Sequence, residues 1–96
     1  TAGLANAYAA QGIRVNAINP GLTRTDRLKE GLAADARLQG IENEEAMKRA
    51  VAKIPMGRMA EPEEIARVVL FLASDAASYV TGINMSMDGA TTPLIV

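Results

Sequence analysis

The stretch Asn19-Pro20-Gly21-Leu22-Thr23-Arg24-Thr25 holds the residue types best suited to binding a ligand. Pro20 removes a backbone donor and fixes φ, while Gly21 permits a backbone angle or a close approach that a side chain forbids. A strand that stops at such a turn leaves N–H groups and, here, the hydroxyls of Thr23 and Thr25 at its carboxyl end, where open α/β sheets bind ligands. On residue pattern alone, Pro-Gly reads first as a plain turn and second as a ligand site. Groups for proton transfer are scarce. The chain has no histidine and no cysteine, which excludes imidazole catalysis, thiol chemistry, disulfides and a zinc ribbon. Its two tyrosines, Tyr8 and Tyr79, are followed four residues on by Gly12 and Ile83. A phenol, with an ordinary pKa of about 10, needs a nearby cation to work near neutrality, and neither spacing supplies one. No catalytic residue is assigned.

The elements around this stretch follow from apolar spacing. Thr1 to Gln11 is alanine-rich and proline-free, with Leu4, Ala5, Tyr8 and Ala9 at helical spacing and Gly12 as its stop. Ile13 to Ile18 alternates Ile13, Val15 and Ala17 against Arg14, Asn16 and Ile18, the pattern of a mostly buried strand. Residues 26 to 43 show no sustained period; Leu28, Leu32, Leu38 and Ile41 either form an amphipathic flap or seat a loop. Asn43 is the expected N-cap of a helix with a Met47, Ala50, Val51, Ile54 stripe and i,i+4 pairs Glu44–Lys48 and Glu45–Arg49. Glu61-Pro62-Glu63-Glu64 opens another helix, with proline at its first position and acids at its positive end. Ile65, Val68, Val69 and Leu72 form its core stripe, and Ala66, Leu70, Phe71 and Ala73 widen the apolar surface, so it expects cover on more than one side. Ser74 to Thr81 reads as a turn-rich link and Ile83, Met85 and Met87 as alternate positions of a second strand; Thr91 to Val96, with Pro93, reads as a tail. The order helix, strand, one or two helices, strand predicts a right-handed βαβ unit. Two strands do not make a stable sheet, and the free edge of the first invites association.

Three blocks resemble the short-chain dehydrogenase/reductase family. Arg14-Val15-Asn16-Ala17-Ile18-Asn19-Pro20-Gly21-Leu22-Thr23-Arg24-Thr25 is similar to its R-V-N-x-(I/V)-x-P-G-x-(V/I)-x-T segment. Pro55 to Ala66 resembles P-x-x-R-x-(A/G)-x-P-E-E-(I/V)-A, and Phe71 to Gly82 with Asp88-Gly89 resembles F-L-x-S-x-x-(A/S)-x-(Y/F)-(V/I)-T-G before a final D-G. The resemblance implies that residues 1–96 are the C-terminal portion of one dinucleotide-binding domain, a βαβ portion of a doubly wound parallel-sheet Rossmann-type fold. It implies an NAD(P)-dependent oxidoreductase that moves a hydride between nicotinamide and a ketone or secondary alcohol, a 3-oxoacyl thioester being one candidate. The family's Tyr-x-x-x-Lys pair and glycine-rich phosphate loop are absent from these residues. Catalysis would belong to a longer parent, and this chain alone is expected to be inactive.

The same resemblance carries over cofactor contacts. Pro20 and Gly21 match the turn under the nicotinamide, Leu22 and Thr23 the pair whose backbone meets its carboxamide, and Thr25 the threonine whose hydroxyl meets carboxamide or pyrophosphate. Thr23 stands where the family often has Val or Ile. Residues 26–54 correspond to the variable, substrate-covering segment, with Leu28, Leu32 and Met47 as candidate substrate contacts. The cofactor is NAD or NADP, the choice being made by a residue of an earlier strand. The parent is expected to be a homo-oligomer, a tetramer, joined through the helix matching residues 62 to 73 and the strand after it.

Composition supports this setting. In 96 residues, 49% are hydrophobic and 22% charged, with a net charge of −1, which favours neither nucleic acid nor anionic membranes as partners. No apolar run approaches the roughly 20 residues a bilayer span needs, and a cytoplasmic protein is the default expectation. The competing reading is a truncated, inactive interaction module that self-associates through its strand edge and broad apolar helix. A free-standing nucleotide-binding βαβ module is a third, weakened by the missing phosphate loop.

Overall fold

The structure is a computed structural model that describes residues 1–92; the part of the expected tail from Pro93 onward lies outside the described residues. In chain order it contains α1 (Ala2–Tyr8), a 3-10 turn (Ala9–Gln11), β1 (Ala17–Pro20), α2 (Asp26–Gln39), α3 (Asn43–Ala52), α4 (Pro62–Ala73), a second 3-10 turn (Asp75–Ala77) and β2 (Asn84–Met87). β1 and β2 pair in parallel, Ala17 opposite Asn84 and Pro20 opposite Met87. Parallel neighbours need a long crossover, and three helices, rather than the expected one or two, supply it. This is part of an α/β Rossmann-type fold. The described residues divide into two compact units: residues 1–20 with 63–87, and residues 21–62 with 88–92.

In the first unit, α1 and its 3-10 extension stop at Gly12, which has φ 77 and donates to the Ala9 carbonyl at 3.0 Å, the stop the sequence indicated. The strand lies later than expected, at Ala17–Pro20 instead of Ile13 to Ile18. The reason is the partner: before Asn84 the second strand is still turning, with Gly82 at φ 79. Arg14, Val15 and Asn16 are therefore held there partly through side chains, for example Val15 N–H on Thr81 Oγ1 at 3.0 Å. Pro20 closes β1, a position where its missing N–H is tolerated. In β2 Met85 and Met87 are half-buried while Asn84 and Ser86 are exposed, the alternation expected. Within α4, Leu72 is buried and Ile65 and Val68 half-buried, but Val69 is 50%, Leu70 72% and Phe71 47% exposed.

In the second unit, within residues 26 to 43, read from the sequence as either an amphipathic flap or a loop, α2 is a regular 14-residue helix. Its apolar stripe is short and rich in alanine, so periodicity did not reveal it. Its ends were legible: Thr25 is the N-cap, Asp26 sits in the first turn and Gly40, at φ 68, closes the helix. α3 begins as expected except that Glu42, not Asn43, occupies the N-cap position, and no side chain caps it. Glu45 and Arg49 form the expected i,i+4 pair at 3.2 Å. α2 and α3 pack together, and Ala36 and Ala46 are their buried residues. Ile54 and Met59 complete this unit's buried apolar set. Gly89 lies tightly against Ile54: a Cβ there would stand 2.7 Å from Ile54 Cγ2.

Candidate functional site

The binding stretch leaves β1 at Pro20, an exposed residue. Gly21 is not among the glycines with positive φ, so its use is not a left-handed turn, which corrects one of its two expected roles. Its carbonyl accepts a hydrogen bond from Thr23 Oγ1 at 3.1 Å. Leu22, 38% exposed, turns its carbonyl to Ala60, whose N–H donates at 3.0 Å. Arg24 N–H in turn donates to the Ala60 carbonyl at 2.8 Å, making a parallel bridge between Thr23 and Ala60. In extended chain, neighbouring residues aim their backbone groups to opposite sides. With Leu22 C=O and Arg24 N–H both committed to Ala60, the N–H and C=O of Thr23 face away from it.

Thr25 Oγ1 accepts the Leu28 N–H at 3.2 Å, and the Thr25 carbonyl accepts from Lys29 N–H at 3.1 Å. A hydroxyl that accepts one bond still has its own proton to donate. Nearby, Arg24 Nε lies 3.1 Å from Glu61 Oε1, both side chains about half exposed. Such a pair contributes between zero and about 1 kcal/mol; it steadies the clamp rather than building it. Ala60 is the residue the sequence reading missed. Its role is wholly in its backbone, and no residue type announces that.

Of the candidate substrate residues, Leu28 and Leu32 lie half-buried on α2 and Met47 half-buried on α3. Leu32 lines a depression of about 530 Å³ with Asp35, Ala46 and Arg49. Met47 lines a different one of about 510 Å³ with Asn43 and Val51. The structure does not bring Leu32 and Met47 into one pocket. Tyr8 is 42% and Tyr79 fully exposed, both in the first unit, which contains no lysine. Among the described residues no cluster of three or more acidic, histidine or cysteine side chains is placed to hold a metal, and no helix is long and apolar enough to cross a membrane.

A family model described as enoyl-(acyl carrier protein) reductase matches residues 1–92. The chain belongs to the short-chain dehydrogenase/reductase family. A 3alpha-hydroxysteroid dehydrogenase of Mediterraneibacter gnavus is 49% identical over 90 residues, 94% of this chain and 32% of that protein. An acetoacetyl-CoA reductase of Shinella zoogloeoides is 42% identical over 89 residues, 93% of this chain and 33% of that protein. The chain thus spans about a third of the length of these relatives. Among solved structures, a short chain dehydrogenase family protein of Francisella tularensis superposes with a TM-score of 0.93 at 37% identity, over 98% of this chain and 39% of that one. A 2-deoxy-d-gluconate 3-dehydrogenase-like protein of Agrobacterium tumefaciens, with bound NADP, superposes with a TM-score of 0.76 at 42% identity, over 95% and 33%. Membership in this dehydrogenase/reductase family makes the chain part of an oxidoreductase family.

Proposed function

We propose that this chain forms the nicotinamide-facing part of an NAD(P)-dependent oxidoreductase that interconverts a ketone and a secondary alcohol. The observation that carries the reading is the Ala60 clamp, which turns the N–H and C=O of Thr23 outward as an adjacent donor and acceptor. A carboxamide has the complementary pair, an oxygen that accepts and an NH₂ that donates. Thr25 adds a hydroxyl proton, its oxygen being engaged only as acceptor in the N-cap bond. Pro20 and Gly21 would lie against the nicotinamide face, with Gly21 allowing close approach, and Leu22 would pack beside it. These residues suit NAD and NADP equally.

When bound, the cofactor supplies or takes up the hydride at the substrate's carbonyl carbon, and a proton goes to or leaves the oxygen. This chain's residues hold and orient the carboxamide, and the proton-transferring group belongs to the parent enzyme outside them, since neither tyrosine here is followed four residues on by a lysine. Residues 26–54 would cover the substrate, through Leu28, Leu32 and Met47. A 3-oxoacyl thioester is the favoured substrate, supported by the acyl-carrier description of the matching family model and by the acetoacetyl-CoA reductase among the relatives. The proposed assembly is a homo-oligomer, a tetramer, built on the exposed Val69, Leu70 and Phe71 of α4. Its soluble dinucleotide cofactor sets the proposed location in the cytoplasm.

The test is turnover with NADH or NADPH and a 3-oxoacyl thioester, in the complete enzyme and in the isolated 96-residue chain. The complete enzyme should oxidise the cofactor and the isolated chain should not. Turnover by the pure isolated chain would overturn the assignment of the proton-transferring group. The same exposed α4 residues favour a second reading, an inactive self-associating module; a monomeric isolated chain in sedimentation rules it out.

A further inference from the structure

Asn16 uses both ends of its side-chain amide within the first unit. Its Nδ2 donates to the Val80 carbonyl at 3.1 Å, and its Oδ1 accepts from the Ile83 N–H at 3.2 Å. The partners force this orientation, because a carbonyl only accepts and a peptide N–H only donates. The amide therefore spans Thr81 and Gly82, the turn that feeds β2. On either side the backbone keeps the same register: Gly82 N–H donates to the Val15 carbonyl at 2.8 Å and Ala17 N–H to the Ile83 carbonyl at 2.9 Å. Arg14 secures the start of this connection, its guanidinium donating to the carbonyls of Leu72 at 2.6 Å, Ser74 at 3.3 Å and Val80 at 3.4 Å.

The ladder beyond is short. It has four residue pairs, and the last, Pro20 opposite Met87, includes a residue with no N–H. A slip by one residue would exchange the half-buried Met85 and Met87 with the exposed Asn84 and Ser86. With so few backbone bonds to specify register, the two bonds of the Asn16 amide, available only in the observed alignment, weigh heavily.

We propose that Asn16 is a positioning residue for the nicotinamide: it locks the register of β1 on β2 and thereby fixes where Pro20 leaves the sheet. This rests on the functional reading above, in which Pro20 faces the nicotinamide. Asn16 acts through Pro20.

The test is Asn16→Asp in the complete enzyme. The substitution keeps the side chain's size but sets a carboxylate oxygen against the Val80 carbonyl. When protonated, the introduced carboxyl again offers one donor and one acceptor. Two probes are titrated across pH: the reduced dinucleotide, and adenosine diphosphate ribose, which lacks the nicotinamide. At neutral pH the dinucleotide should bind about tenfold more weakly, adenosine diphosphate ribose should bind unchanged, and the deficit should shrink on acidification. Equal weakening of both probes, or of neither, overturns the positioning role. If Asn16→Asp does not fold, Asn16→Ser, whose hydroxyl keeps a donor and acceptor at shorter reach, is read by the same contrast. A wild-type enzyme that binds neither probe refutes the functional reading itself, an outcome visible before any variant is made.

Discussion

Thr25 is assigned two tasks that a small set of substitutions separates. Its oxygen caps α2 by accepting the Leu28 N–H at 3.2 Å, and its proton is assigned to the cofactor. Thr25→Ala removes both: stability should fall by about 1 kcal/mol, the usual worth of an N-cap hydroxyl, and cofactor binding by about 0.5–1.5 kcal/mol for one neutral hydrogen bond. Thr25→Ser retains both functions and should resemble wild type in both. Thr25→Asp decides the matter. Aspartate caps helices as well as threonine does and its charge suits the helix N-terminus, but the carboxylate has no proton to donate. Stability should therefore be preserved while cofactor affinity falls at least as far as in Thr25→Ala. The assays are denaturant unfolding without cofactor and fluorescence titration with NADH and NADPH, both in the complete enzyme. Wild-type cofactor affinity in Thr25→Asp would show that the hydroxyl is a cap and nothing more; unchanged stability in Thr25→Ala would remove the cap.

Three further outcomes are expected. Gly89→Ala should lower the unfolding midpoint, by about 1–3 kcal/mol in stability, because its φ is +61 and the new Cβ would meet Ile54 Cγ2 at 2.7 Å; an unchanged midpoint would mean that Ile54 moves aside freely. Arg24→Gln should cost less than about 1 kcal/mol, and the difference from wild type should shrink in high salt, since both partners of the Glu61 pair are half exposed; a large, salt-independent loss in unfolding experiments would contradict this. Leu70→Glu with Phe71→Glu should reduce the mass of the proposed homo-oligomer in sedimentation without lowering cofactor affinity, because it places charge on the exposed face of α4; an unchanged mass would refute α4 as the proposed interface.

Much of this architecture was legible before the structure. Pro62 at the first position of α4, Gly12 closing the first helical segment and the alternation of Met85 and Met87 all stand where residue type and period indicated. What escaped has two causes: a small buried residue that leaves no period, and backbone or side-chain amides whose partners are far away in sequence. α2 was hidden because Ala36, not a large residue, is its buried contact, although Thr25 and Gly40 marked its ends. β1 was placed too early because Arg14 and Asn16 replace ladder pairing over its expected first residues, and only the distant Gly82 turn explains that. For the candidate site, the order of Pro20 to Thr25 pointed to a binding turn. The direction in which Thr23 presents its amide depends on Ala60, a residue with no chemistry of its own to read.

That the buried residues of α2 and α3 are both alanine has a consequence for how this segment changes over generations. Alanine has no side-chain rotamers to freeze and few atoms to interlock, so the buried Ala36 and Ala46 demand little matching shape from their neighbours. The half-buried side chains around them, Leu32 and Met47 among others, can then be exchanged with little cost to the hairpin itself. A pair of helices whose buried residues are alanines is a permissive scaffold: it leaves the surrounding surface free to be retailored.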